Sequence, residues 1–318
     1  MNKQLKIVMF HYVRDLRNSR FPKIKGLDLL AFRYQIDFLS NNFNVVSCYD
    51  VIKCLDNNDG LPENSVLLTF DDGYIDHYVN VFPILKKYGI SGVFSMPGKI
   101  IAESKLLNVN KIHFLLASTE ESALLASIYD LLDFYRGNEF AIPTTAELYF
   151  EYACANRFDS ADVVFIKKML QTVLDEKLRN MMIDRLFKKH IDVPEKTFAK
   201  ELYMNIDQVK FMKDSGMEFG CHGYEHYWLG NLPIKDAKND IKKSLETFSN
   251  IIDTSSWMMC FPYGSYSEEL LSYCGENGCA LGFSTQVRTA NLNTDRRLIL
   301  PRLDTNDFPP KSLNYLEN

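Results

Sequence analysis

Two short stretches of this chain carry side chains whose types and spacing can do chemistry. The first is Thr69-Phe70-Asp71-Asp72-Gly73-Tyr74. Two adjacent carboxylates are costly unless each finds a partner. Gly73 lets the backbone turn sharply, so that both can face one point. One carboxylate can then hold a cation while the other takes a proton from an attacking water. An Asp capping the following helix accounts for the same residues. The second stretch is His222-Gly223-Tyr224-Glu225-His226. Two His four apart reach one side of a helical turn, or of a loop folded around an ion, and neutral imidazole suits zinc and similar metals. Two unrelated surface His are the plainer alternative. Together, two imidazoles and one carboxylate with room for water make the general plan of a catalytic metal site. A third stretch, Phe261-Pro262-Tyr263-Gly264, is a rigid turn whose backbone N–H can act as an oxyanion donor. It is also an ordinary turn sequence.

These residues need elements that bring them together. Apolar runs at Leu5–Phe10, Asn44–Ser47, Val66–Phe70, Gly92–Met96, Met217–Cys221, Trp257–Phe261 and Ala280–Ser284 predict strands, with a last short one at Arg297–Pro301. Helical spacing appears at Leu30–Asn41, Ile75–Tyr88, Ile206–Asp214, Ile234–Ile252 and Glu268–Glu276. Strands alternating with helices imply parallel pairing in βα units. Asp71-Asp72, His222 and Pro262-Tyr263 each follow a strand directly. In a parallel barrel the carboxyl ends of the strands share one rim, where active sites sit. From Ser104 to Lys200 the strand signal stops and helical periodicity takes over. The expectation is a barrel over 1–103 and 201–318, interrupted by a helical insertion at 104–200. Such an insertion serves as a lid, a substrate-selecting wall or a dimerisation subdomain; the oligomeric state is not written in the sequence.

Composition narrows the classes. The net charge is −5, without the basic excess of a nucleic-acid binder. Seven Cys at irregular spacing, with no Cys-x-x-Cys pair, argue for free thiols and against a thiolate zinc site. Only four strongly apolar residues, Ile7 to Phe10, follow the N-terminal polar residues, too few for a secretory signal. No run approaches the ~20 apolar residues of a membrane span. The expectation is a cytoplasmic protein whose substrate is reachable there.

Leu68-Thr69-Phe70-Asp71-Asp72-Gly73-Tyr74 resembles the first motif of the polysaccharide deacetylase family (carbohydrate esterase family four, the NodB-like homology domain). His222 to His226 resembles the second motif and Phe261-Pro262-Tyr263-Gly264 the third, in the family's order. The resemblance implies a distorted (β/α)7 barrel and metal-assisted hydrolysis of a sugar N-acetyl group. By matching positions, Asp72, His222 and His226 would ligate the metal, Zn2+ first, with Co2+, Ni2+ or Mn2+ as alternatives. Asp71 would be the general base, and the Tyr263 backbone N–H the oxyanion donor.

Three departures stand out. Gly223 replaces the Ser or Thr that follows the first His of the second motif. Met259-Cys260-Phe261 stands where an Arg that orients the base precedes Pro-Tyr. The late His that acts as general acid is absent after His226. Arg302, in Leu300-Pro301-Arg302-Leu303-Asp304, is the candidate guanidinium. Phe10-His11-Tyr12 resembles the segment that opens circularly permuted members, which makes His11 the candidate acid. His77, His113 and His190 read as structural. The expected substrate is an N-acetylated glycan precursor, a nucleotide sugar or lipid-linked saccharide used for surface polysaccharide synthesis. The alternatives are hydrolysis of another C–N bond, such as a formamide, and a carbohydrate-binding homologue without catalysis.

Overall fold

The computed structural model describes residues 2–57, 59–137, 139–156 and 159–317. Its central sheet contains β1 (Gln4–Phe10), β2 (Ser65–Asp71), β3 (Val93–Met96), β4 (Glu218–Cys221), β5 (Trp257–Cys260), β6 (Cys279–Phe283) and β7 (Leu303–Asp304). β1 to β6 pair in sequence order and in parallel, beginning with Leu5 opposite Ser65 and ending with Cys260 opposite Phe283. Phe283 then bridges to Leu300, while Leu303 and Asp304 pair with Val8 and Met9 of β1. The segment 300–304 thus joins the two sides of a distorted (β/α)7 barrel.

The last strand differs from the expected Arg297–Pro301. Leu300 makes only a bridge, and the paired strand starts at Leu303. Pro301 has no N–H to donate, so regular pairing resumes beyond it. The helix expected over Ile234–Ile252 ends at Thr247. The one expected over Ile75–Tyr88 opens with a π turn, His77–Val81, before the α-helix Phe82–Tyr88. A further helix, Cys48–Asp56, starts at a Ser47–Asp50 capping box.

The strand patterns explain why the site residues sit where they do. Every residue of β2 is buried, as expected of a parallel strand covered on both faces. Alternate positions face opposite ways. Leu67 joins a buried cluster with Leu5, Ile7, Val93, Met258, Cys260, Leu281 and Phe283; Thr69 and Asp71 share its face. On the other face Phe70 stacks between Phe10 and Phe94, at 4.9 and 4.7 Å between ring centroids. Each such buried side chain contributes about 1.5–3 kcal/mol. The strand that delivers Asp71 is therefore anchored on both faces.

The chain forms two compact units. One comprises Met1–Asp15, Gly26–Lys105 and Ala199–Asn318 and contains the barrel. The other comprises Leu16–Lys25 and Leu106–Phe198. It is helical, with helices at Asn108–Ser118, Glu121–Tyr135, Thr145–Tyr152, Ala161–Lys168 and Glu176–His190. Within it, Phe21 meets Phe114 edge-on at 4.9 Å and stacks on Phe198 at 5.4 Å. His190 Nε2 lies 3.0 Å from Ser127 Oγ. Among the described residues, no helix is long and apolar enough to cross a membrane. All seven Cys are free, and only Cys154 is exposed.

Candidate functional site

Asp71 ends β2, and Asp72 follows in the left-handed region at φ 75°. The two carboxylates find different partners. Asp72 Oδ1 lies 3.3 Å from His222 Nε2 and 3.2 Å from His226 Nε2. All three residues are buried. The contacts are close but not aligned as hydrogen bonds, so Asp72 Oδ1 has no hydrogen-bond partner among the described residues.

That is the arrangement a cation requires. Ligands at ~2.0–2.1 Å from a tetrahedral ion lie about 3.3 Å from one another, which matches the distances here. Tyr74 Oη donates to the other oxygen, Asp72 Oδ2, at 2.5 Å, leaving Oδ1 to the shared point. His222 Nδ1 donates to the Cys260 carbonyl at 2.7 Å, which turns the Nε2 lone pair toward Asp72. Such outer contacts fix tautomer and ring orientation in metal sites. The residues present fit a divalent ion.

Electrostatics agree. Burial opposes charge on Asp72, but the two imidazoles beside it hold its carboxyl well below the usual carboxylate range. Burial lowers the His226 pKa, which keeps that ring neutral and able to ligate. Burial would also lower His222, yet Cys260, Asp72 and Asp71 raise it well above the usual value.

Backbone strain collects here. Of the five non-glycine residues with positive φ among the described residues, three are Asp72, His226 and Tyr263. Each such residue costs on the order of 1–3 kcal/mol and persists where the surroundings over-determine it. The loop 222–226 is held from two sides. Gly98 N and Lys99 N donate to the carbonyls of Gly223 and Tyr224, at 3.0 and 3.1 Å. Asp240 accepts from Tyr224 N at 2.7 Å and from Glu225 N at 2.9 Å.

Asp240 explains the glycine after the first His. Gly223 has φ 68°, and a Cβ on it would lie 2.7 Å from Asp240 Oδ1. The buried Asp240 side chain thus holds this loop through two backbone N–H groups and leaves no room for a side chain at 223. We expect Asp240→Ala to weaken metal affinity about 10–100-fold, as outer-contact losses do. Titration of the stripped protein with Zn2+ against a competing chelator measures it. An unchanged affinity in a folded variant would show that the loop does not depend on Asp240.

Asp71 lies close to His222 as well, among groups that hold its charge. Arg302 is fully buried; its Nη1 donates to Asp71 Oδ1 at 3.1 Å and lies 2.8 Å from Oδ2. The same Nη1 donates to Thr69 Oγ1 at 3.1 Å, and Nε donates to the Ser284 carbonyl at 2.9 Å. The Cys260 thiol donates to Asp71 Oδ2 at 3.3 Å. Burial raises the Asp71 pKa, but Arg302, with His222 and His11, brings it below the usual value. His11 follows β1; its Nε2 stands 4.0 Å from Asp71 Oδ2, and its side chain is 42% exposed, so solvent or substrate can reach it. Tyr263, at φ 58°, meets the His226 ring in a T-shaped contact at 4.7 Å and stacks on Trp228 at 4.2 Å.

The structure thus brings Asp71, Asp72, His222, His226, Tyr263, Arg302 and His11 to one end of the barrel. His77 is buried with its Nε2 3.0 Å from the His11 carbonyl. Burial drives its pKa down to about 4, so it is neutral. The sequence reading did not single out Tyr74, Cys260 or Asp240. A signal existed for Asp240: it interrupts the buried helix stripe of Ala237, Ile241 and Ser244. Cys260 was visible only as an inward position of its strand, two after Met258.

A parallel barrel that gathers two imidazoles and a carboxylate at its strand ends, with a second buried carboxylate alongside, has the plan of a metal-assisted hydrolase. The chain belongs to the polysaccharide deacetylase family: the family's model, described as polysaccharide deacetylase, matches residues 58–119 and 158–281. Members of this family are carbohydrate de-N-acetylases that typically depend on a metal. The matched residues include all three motifs but neither His11 nor Arg302. The chain is 32% identical over 99 residues to the YxkH protein of Bacillus subtilis (strain 168), covering 31% of this chain and 33% of that one. It is 33% identical over 93 residues to the poly-beta-1,6-N-acetyl-D-glucosamine N-deacetylase of Escherichia coli (strain K12), covering 29% of this chain and 13% of that enzyme. The matches thus span a third or less of these relatives. Among solved structures, the Streptococcus pyogenes deacetylase PplD in complex with acetate has the same fold. Its TM-score is 0.58 at 17% identity, over 100% of this chain and 98% of that one.

Proposed function

We propose that this chain hydrolyses the N-acetyl group of a sugar within an N-acetylated oligosaccharide or polysaccharide. The observation that carries the reading is the convergence of Asp72 Oδ1 with His222 Nε2 and His226 Nε2 beside a second, separately held carboxylate. Asp72, His222 and His226 hold the metal, and this donor set suits Zn2+. Bound there, the ion supplies Lewis-acid polarisation of the amide carbonyl and of the attacking water. Asp71 accepts the proton of that water as its oxygen adds to the carbonyl carbon. Arg302 keeps Asp71 ionised and oriented. The Tyr263 backbone N–H steadies the developing oxyanion. As the C–N bond breaks, His11 gives a proton to the leaving nitrogen, and acetate and a free amine result.

The substrate class follows the E. coli relative, which acts on poly-beta-1,6-N-acetyl-D-glucosamine. A cytoplasmic nucleotide sugar or lipid-linked precursor is the narrower expectation from the sequence. The test is acetate release by the Zn2+-loaded protein from β-1,6-linked N-acetylglucosamine oligomers, from a UDP-linked N-acetyl sugar and from a formamide. We expect the oligomers to be turned over. Turnover of the nucleotide sugar alone would restore the precursor reading. Formamide turnover without acetate from any sugar would place the chain among other C–N hydrolases.

A further inference from the structure

The segment that carries His11 pairs with Leu27–Asp28 on one side and is held by side chains of a second element on the other. The backbone from Tyr74 to Val81 runs directly on from the metal-binding turn and includes the π turn His77–Val81. Four of its side chains reach the N-terminal segment, three of them by hydrogen bonds. Asp76 Oδ2 accepts from Val13 N at 3.1 Å and from Arg14 Nε at 2.8 Å, while Oδ1 accepts from Arg14 Nη2 at 3.0 Å. His77 Nε2 donates to the His11 carbonyl at 3.0 Å. Asn80 Nδ2 donates to the Val13 carbonyl at 2.8 Å. Tyr12 stacks on Tyr74 at 4.0 Å, and Tyr74 donates to Asp72. Asp76 and His77 are buried, at 5% and 0% exposure.

This density of contact is more than a two-residue strand needs. Val13–Arg14 already pairs with Leu27–Asp28. A π turn widens the helix by one residue per turn, and such turns gather at functional sites. His77 and Asn80, three residues apart, both face the segment 11–14. The His11 ring itself is partly exposed, its Nε2 4.0 Å from Asp71. Its placement is therefore fixed through its backbone.

We propose that Asp76, His77 and Asn80 form a clamp that fixes His11 beside Asp71, and that they are positioning residues for proton delivery to the leaving amine. The clamp ties the acid to the segment that follows the metal ligand Asp72 directly in the chain. The inference rests on the reading of His11 as the general acid.

A general acid matters most when the leaving group is a poor anion. A sugar amine must be protonated to leave; 4-nitrophenolate need not be. The experiment compares acetate release from N-acetylglucosamine oligomers with hydrolysis of 4-nitrophenyl acetate, using the Zn2+-loaded full chain. For Asp76→Ala and Asn80→Ala we expect kcat on the amide to fall about 10-fold or more. KM, metal content and ester kcat should stay within about twofold. Asp76→Asn, which still accepts from Val13 N, should recover part of the loss. Parallel loss of amide and ester activity, or no loss of either, would overturn the clamp. If Asp76→Ala fails to fold, Asn80→Ala and Arg14→Gln carry the same test from the other side of the contacts. His11→Ala run alongside separates the two readings. Amide loss with ester activity spared upholds the acid, whatever the clamp variants do. Equal loss of both removes the acid and the clamp's purpose together.

Discussion

Stripping the protein with a chelator, or replacing Asp72 with Ala, is expected to lower acetate release by about 10³-fold or more. A Lewis acid at the carbonyl is worth several kcal/mol, and about 4 kcal/mol corresponds to three decades of rate. Asp72 is the sharpest probe because three features of the fold serve it. Its backbone is held at φ 75°, a conformation few side chains adopt without compensation. Tyr74 holds one oxygen by a 2.5 Å hydrogen bond. The other oxygen meets both imidazoles with no aligned hydrogen bond. Adding Zn2+ should restore the stripped wild type and leave Asp72→Ala inactive. Metal content by mass spectrometry, read beside a circular-dichroism spectrum, separates loss of the ion from loss of the fold. A folded Asp72→Ala protein that keeps one metal per chain and its turnover would remove Asp72 from the centre.

The second large effect lies on the base. Asp71→Asn keeps the shape and an acceptor for Arg302 but cannot take a proton. We expect kcat to fall on the order of 10²–10⁴-fold, the usual worth of a positioned base, with metal content unchanged. That pairing of results distinguishes Asp71 from Asp72; an Asp71→Asn variant that lost its metal would mean that both carboxylates are ligands.

Arg302 gives the complementary test. Arg302→Met leaves Asp71 buried without its cation, a change that costs about 3–5 kcal/mol when one partner of a buried pair is removed. The sign of its pH effect follows from the opposing causes. In the wild type Arg302, with His222 and His11, outweighs burial and holds the Asp71 carboxyl below its ordinary value, so the base form persists through the usual carboxylate range and is lost only as pH falls below it. In Arg302→Met burial prevails and the pKa rises. The acidic limb of the kcat profile should therefore move to higher pH, and the melting temperature should drop. A profile that stays in place would show that Arg302 supports the strand and not the base.

The motif residues were legible in the sequence because each is tied to local structure. Asp71-Asp72-Gly73 follows an unbroken apolar run, and a strand buried on both faces must read that way. The His pair and the Pro-Tyr-Gly turn likewise follow apolar runs, so a common rim was deducible from strand order alone. Boundaries fared less well where a single residue decides them. Pro301 displaces the last pairing to Leu303–Asp304, and the π turn at His77–Val81 replaces part of an expected α-helix. That Leu16–Lys25 belongs with the helical unit rests on Phe21 meeting Phe114 and Phe198, a contact between residues far apart in the chain.

By itself, the sequence determined the barrel class, the three strand-end motifs and the residue types able to hold a cation and move a proton. These depend on periodicity and on short spacing, which a linear chain displays. The partners of those residues were decided by tertiary structure. Arg302 and Asp71 are 231 residues apart and meet only because 300–304 closes the barrel beside β1. Asp240 reaches the His222 loop from a helix, and Cys260 reaches Asp71 across the barrel interior. Which oxygen of Asp72 faces the imidazoles depends on one backbone angle and on Tyr74. The placing of these side chains is a local property of strand ends; their ionisation and aim belong to the closed barrel, where burial makes every neighbouring charge count.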